Sequence, residues 1–374
     1  MTDTTDELIN EPAPEPAPEV APEPGEPLVH AMGTKVLAVV GPTAVGKTTL
    51  AEELAVRLGG QIVSADSMQV YRGMDLGTAK PAPDERRVPY WCVDVAAPDQ
   101  PYSAALFQRD ARLAIAEIEH EGFVPIVAGG TGLYVRAAVD AWEFPPGEQE
   151  APARRRIEEW VEDHGEDAAY ERLKQLDAAS AALIHPHNVR RVIRALEMEE
   201  EGVSYAEQAR RFAERQAVYD VLFIGLLMDR DQLYQRIDAR VDDMLDAGLL
   251  DEVRTLLAEG YRDALTASQA IGYKELVPVV EGHADLGEAV DAIKRASRRY
   301  AKRQLTWFRA DHRVHWIDVT DLGPAETALR ALDLVESWLL PAGSHPKQPP
   351  DDPARDRPQA PPIDLADDLP LVED

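Results

Sequence analysis

Apolar residues along the chain fall into two alternating rhythms. The unbroken run Val36 to Val40 has the length and β-branched content of a strand buried on both faces. Leu50, Leu54 and Leu58 then recur at helical spacing. The alternation continues: Gln61–Ala65 and Tyr90–Val95 predict strands, Tyr102–Glu119 predicts a crossover helix with Leu106, Leu113 and Ile118, and Val124–Ala128 predicts another strand. After Pro145-Pro146-Gly147 the strand signals stop, and residues 151–216 read as Arg-rich helices. The sheet resumes with Val221–Met228, followed by a helix bearing Leu233, Ile237, Val241 and Leu245 on one stripe. Lys294–Arg303 predicts a helix and Val314–Val319 a last strand, while 73–81 and 269–275 read as loops. Strands alternating with helices imply an α/β fold, a P-loop NTPase-like parallel sheet flanked by helices. It is split into 34–144 and 217–340 by an all-helical insertion at 145–216.

The two ends depart from this pattern. Residues 1–33 run through a Pro/Glu alternation without Lys or Arg, and 341–374 are rich in Pro and Asp, so both read as disordered acidic tails. The start lacks the charged and apolar regions of a secretory signal, and no apolar stretch approaches the ~20 residues that span a bilayer. No membrane association is expected. A single cysteine, Cys92, excludes an intrachain disulfide and a Cys-rich zinc site, which points to the cytoplasm. His185-Pro186-His187 is too sparse for a metal site. The net charge of −29 argues against a nucleic-acid partner, yet the tails carry −8 and −5 of it, leaving −16 between them. The basic residues that remain are clustered, and local potential governs binding more than the total.

The chemistry begins at the first strand. Gly41-Pro42-Thr43-Ala44-Val45-Gly46-Lys47-Thr48 joins strand to helix with the spacing of a Walker A loop. Its backbone N–H groups converge on phosphate oxygens at the positive end of the helix. Lys47 adds a point charge, and the Thr48 hydroxyl is placed to ligate Mg²⁺. Asp66, leaving the second strand, either emerges in the ligand crevice or serves as a turn residue. Gly129-Gly130-Thr131 is a second strand-to-helix loop, in which Thr131 either caps the helix or bonds a substrate. Arg236 and Arg240 share a helix face at a spacing that suits a phosphate clamp. The insertion's clusters Arg154–Arg156, Arg190/Arg191/Arg194 and Arg210/Arg211/Arg215 either face RNA or form solvated faces paired with nearby Glu. Lys294 to Arg303 places six basic residues within ten and no acid, which points to phosphate or RNA.

Taken together, Gly41–Thr48, Asp66–Tyr71, Gly73–Pro81, Gly129–Tyr134, Ile271–Glu275 and Ala301–Arg309 resemble, in order, the motifs of bacterial tRNA dimethylallyltransferases, over residues 35 to about 320. The resemblance implies transfer of a dimethylallyl group from dimethylallyl pyrophosphate to N6 of adenosine 37 in tRNAs that read codons beginning with U. It implies that Gly41 to Thr48 hold the donor's pyrophosphate with Mg²⁺, that Asp66 accepts a proton from the exocyclic amine, and that Thr131 bonds in the reaction channel. It also implies tRNA contacts at Asp66, Ser67, Met68, Gln69, Thr131, Arg154, Arg190, Arg191, Val192, Ile193 and Arg194, with a monomer acting on the anticodon stem-loop. Two enzymes remain as alternatives: a P-loop small-molecule kinase, and an adenylate isopentenyltransferase, which would not need the Arg-rich insertion. A nucleotide switch would need a Walker B strand ending in Asp, and none is evident.

Overall fold

The structure, a computed structural model, describes residues 33–144 and 152–339. Apart from Gly33 the expected acidic tails lie outside the described residues, as do Pro145 to Glu150 at the start of the expected insertion.

Strand β1 (Lys35–Val40) leads to α1 (Lys47–Leu58), β2 (Gly60–Ser64), β3 (Tyr90–Trp91), α2 (Ala104–His120), β4 (Val124–Gly129) and α3 (Gly132–Val139). Five helices follow: α4 (Pro152–His164), α5 (Glu166–Leu176), α6 (Ala178–Leu183), α7 (Val189–Glu200) and α8 (Tyr205–Ala213). The chain returns to the sheet as β5 (Asp220–Leu227) and continues through α9 (Arg230–Asp246), α10 (Leu249–Ala258), α11 (Tyr273–Val280) and α12 (Leu286–Arg309). It then forms β6 (Val314–Asp318) and α13 (Pro324–Leu339). All strand pairs are parallel, in the order β3-β2-β4-β1-β5-β6.

Strand residues divide between two cores because successive side chains leave opposite faces of a pleated sheet. Val36, Ala38 and Val40 join α2, α3, α10 and α11 on one face. Leu37 and Val39 join α1, α9 and α13 on the other. Since β2, β4 and β1 are neighbours, the loops at their carboxyl ends lie side by side, where open α/β sheets bind ligands.

Two expectations are corrected, and one element is new. The strand expected at Tyr90–Val95 stops after Trp91, because Cys92 and Asp94 both take φ of 59°, a left-handed turn incompatible with extended backbone. The 269–275 segment is not loop throughout: Ala267–Gln269 is a 3₁₀ turn, and Tyr273 starts α11 with Glu275 Oε2 accepting the Gly272 N–H at 2.8 Å. Helix α13, which carried no prediction, buries Ala328, Ala331 and Val335 on the second core.

Helices α4 to α8 have a core of their own, built on Ile157, Val161, Leu173, Val192, Leu196 and Met198. Two connections join them to the sheet, tied together by Ala141 N–H to Gln216 O at 2.7 Å and Val218 N–H to Val139 O at 2.9 Å. Asp140, fully buried, anchors this junction by accepting from Arg136 Nε at 2.5 Å and Arg313 Nη1 at 2.6 Å. Removing one partner of such a pair strands a buried charge, which costs about 3–5 kcal/mol.

Candidate active site

The phosphate loop forms because its backbone goes where few residues can. Gly46 takes φ of 107° and Ala44 takes 64°, which turns successive amides toward one centre. Val45 buries its side chain in the core, so it offers the site only backbone, whereas Thr43, Ala44, Lys47 and Thr48 line a cavity of about 380 Å³. Lys47 Nζ donates to Pro42 O at 2.6 Å, bridging its own loop. Burial pushes the Lys47 ammonium down to about 7, the nearby Asp66 carboxylate opposes this, and Arg240 adds to it. A diphosphate would restore the proton.

Asp66 lines the same cavity. It fills both roles left open by the sequence: Oδ1 accepts the Met68 N–H at 2.9 Å and the Gln69 N–H at 3.4 Å, as in an Asx turn, while Oδ2 takes no hydrogen bond from the described residues. Thr131 does not cap α3 with its side chain. Its buried Oγ1 accepts the Ser67 N–H at 3.1 Å and donates to Ser67 Oγ at 3.3 Å, so it holds the loop that follows Asp66. Gln69 is also internally committed, accepting from Ser64 Oγ at 2.8 Å and donating to Thr78 O at 3.2 Å. Ser67, Met68 and Gln69 all line the cavity.

The two arginines expected to clamp phosphate separate. Arg240 lines the cavity, where burial lowers its pKa and Asp66 counters it. Arg236 is exposed and outside the lining, one turn away on α9, with its guanidinium 4.0 Å from Met228 Sδ. The basic helix α12 also divides. Lys294 pairs with Asp242 at 2.6 Å and Arg298 with Asp238 at 2.6 Å, so α9 supplies the acids absent from the Lys294–Arg303 stretch. Arg299 and Arg303 face the cavity, together with Lys274 of α11, and Lys302 stays outside. Around them Ile237, Val241, Met244, Leu249 and Ile293 form an apolar wall.

The insertion's expected contacts need one correction. Val192 and Ile193 are 1% and 7% exposed and belong to the insertion's own core, because α7 turns that stripe inward. Their side chains cannot meet RNA. Arg190 lies exposed on the same helix, Arg191 sits partly buried with its charge felt by Tyr205, and Arg194 and Arg154 converge on the buried Glu197 at 2.8 and 3.9 Å. Arg154 also pairs with Glu158 at 2.8 Å. Ile193→Ala is therefore expected to cost about 2–5 kcal/mol in thermal or urea unfolding. Arg190→Ala should leave stability within about 0.5 kcal/mol and reduce the salt dependence of RNA affinity by about one charge. The opposite pattern would put the RNA face elsewhere.

Sequence reasoning singled out the stretches holding Gln304, Tyr273 and Lys274 without assigning them work. Tyr273 donates to Glu252 Oε1 at 2.5 Å, and Glu252 accepts the Leu76 N–H at 2.9 Å, fixing the 73–80 loop over the cavity. Lys80, in that loop, bonds Tyr71 O at 2.8 Å, Asp75 at 2.6 Å and Asp94 at 2.5 Å. Among the described residues no group of three or more His, Cys, Asp or Glu could hold a metal, and no helix is long and apolar enough to cross a membrane.

The family model described as IPP transferase matches residues 69–311, and that described as isopentenyl transferase matches residues 34–88. A tRNA dimethylallyltransferase of Geobacillus thermodenitrificans is 48% identical over 292 residues, covering 78% of this chain and 92% of the relative. Among solved structures, the tRNA isopentenylpyrophosphate transferase of Bacillus halodurans superimposes with a TM-score of 0.62 at 42% identity, over 82% of this chain and 96% of that one. A eukaryotic dimethylallyltransferase solved acting on tRNA gives a TM-score of 0.71 at 28% identity, over 84% and 81%. The chain belongs to the IPP transferase family, that of the tRNA dimethylallyltransferases.

Proposed function

We propose that this protein transfers the dimethylallyl group of dimethylallyl pyrophosphate to N6 of adenosine 37 in tRNAs that read codons beginning with U. The observation that carries the proposal is the sharing of one cavity by Lys47 at the start of α1, Arg240 of α9 and Asp66 after β2, with an apolar wall beside them. Diphosphate is the leaving group, and the backbone N–H groups between Ala44 and Thr48 with Lys47 and Arg240 neutralise the charge it gains as the C–O bond breaks. The apolar wall suits the five-carbon chain and keeps water from the allylic carbon while positive charge develops there. The lone pair of N6 is delocalised into the purine, so the amine needs help as the C–N bond forms. Asp66 Oδ2 takes that proton, while Oδ1 stays held by the turn.

The donor set around Thr48 fits Mg²⁺. One exposed hydroxyl with no carboxylate cage suits an ion that keeps several waters and is held mainly through substrate phosphates. When bound, it would supply further neutralisation of the leaving diphosphate. The anticodon loop can extrude its purine at low cost, and the arginines of α4 and α7 would grip the RNA backbone. We place the enzyme in the cytoplasm, acting as a monomer.

The test is unmodified tRNA with labelled dimethylallyl pyrophosphate and Mg²⁺, with AMP as competing acceptor and ATP as competing donor. Label confined to tRNA is expected. Label on AMP would turn the reading to an adenylate isopentenyltransferase, and phosphate transfer from ATP would turn it to a kinase.

A further inference from the structure

Gln304 lies in the middle of the turn of α12 that faces the cavity, and it is 3% exposed. Its side-chain oxygen accepts the Thr43 N–H at 2.8 Å, inside the phosphate loop. Its side-chain nitrogen donates to Gly130 O at 3.0 Å, in the loop after β4. The fit leaves no slack, since a Cβ built on Gly130 would stand 2.1 Å from Gln304 Nε2. Gly130 is followed by Thr131, whose hydroxyl holds Ser67, and Ser67 follows Asp66. One amide thus closes a hydrogen-bonded path from the donor's loop to the acceptor's carboxylate.

We propose that Gln304 is a positioning residue that sets the separation and orientation of the diphosphate loop relative to the carboxylate loop. This rests on the prenyl-transfer reading and deepens it. The physical need is plain: the allylic carbon is held through one loop and the nucleophile's proton acceptor through the other, and a misplacement of ~1 Å costs about 100-fold in rate. A side-chain amide suits the task because it offers an acceptor and a donor in one rigid plane. Methionine has the length and neither bond. An ionised glutamate keeps an acceptor and cannot donate to Gly130 O.

Gln304→Met and Gln304→Glu are assayed in the full chain with tRNA and labelled dimethylallyl pyrophosphate, beside separate titrations with inorganic pyrophosphate and with tRNA. In Gln304→Met, kcat is expected to fall about 100-fold while both affinities stay within about threefold. In Gln304→Glu, activity relative to wild type should rise as pH falls, because burial raises the carboxyl's pKa and the protonated form can again donate to Gly130. A merely structural role would not produce that recovery. Unchanged kcat in Gln304→Met, a loss confined to donor affinity, or a pH-independent ratio for Gln304→Glu would each overturn the proposal. If Gln304→Met does not fold, the pH profile of Gln304→Glu decides. A wild-type protein that labels no tRNA overturns the prenyl-transfer reading instead.

Discussion

Asp66→Asn should slow turnover about 10²–10⁴-fold, the range that a positioned general base contributes. The asparagine tests more cleanly than alanine. Asp66 Oδ1 holds the Met68 and Gln69 amides, and an Asn Oδ1 accepts the same two bonds, so the turn carrying Ser67, Met68 and Gln69 persists. Only the proton acceptor is lost. Asp66→Ala removes both functions and should lose at least as much turnover, with some disorder of the turn carrying Ser67, Met68 and Gln69. Affinity for tRNA, measured by filter binding, should change little in either variant, because the insertion's arginines stand apart from the cavity. Prenylation by Asp66→Asn near the wild-type rate would remove Asp66 from the role of base.

Lys47→Met should weaken pyrophosphate binding about 10- to 100-fold, the loss expected for a hydrogen bond to a charged group. It should also change how binding depends on pH. In the free protein Lys47 is pushed down to about 7, so above that pH it is largely neutral, and a bound diphosphate would draw its pKa back up. Binding then takes up a proton. Wild-type affinity, relative to Lys47→Met, should be level below about pH 7 and decline above it, by at most about tenfold per unit. Calorimetry at pH 8 in two buffers of different ionisation enthalpy measures the uptake directly. Equal affinities and no buffer dependence would move the diphosphate away from Lys47.

Legibility from the sequence followed the range of the interactions concerned. The phosphate loop could be read because its determinants are local: strand, glycine spacing and helix adjoin along the chain. Asp66 could be located, and its two roles could be separated only once the Met68 and Gln69 amides were seen on one oxygen. Arg236 and Arg240 looked equivalent because periodicity records a shared face, not what that face meets. The charge of α12 looked wholly functional because Asp238 and Asp242, its neutralising partners, lie some 50 to 60 residues away. Val192 and Ile193 were placed by motif position, which carries no information on which side of α7 is buried.

By itself the sequence determined the alternating α/β order, the phosphate loop and the motifs that mark the family, since each depends on residue types at short, fixed spacing. Tertiary structure alone decided which cations line the cavity, what Thr131 holds, and how Gln304 joins two loops. Those outcomes depend on which distant segments the parallel sheet and α12 bring to its carboxyl edge, and sequence spacing does not encode that proximity.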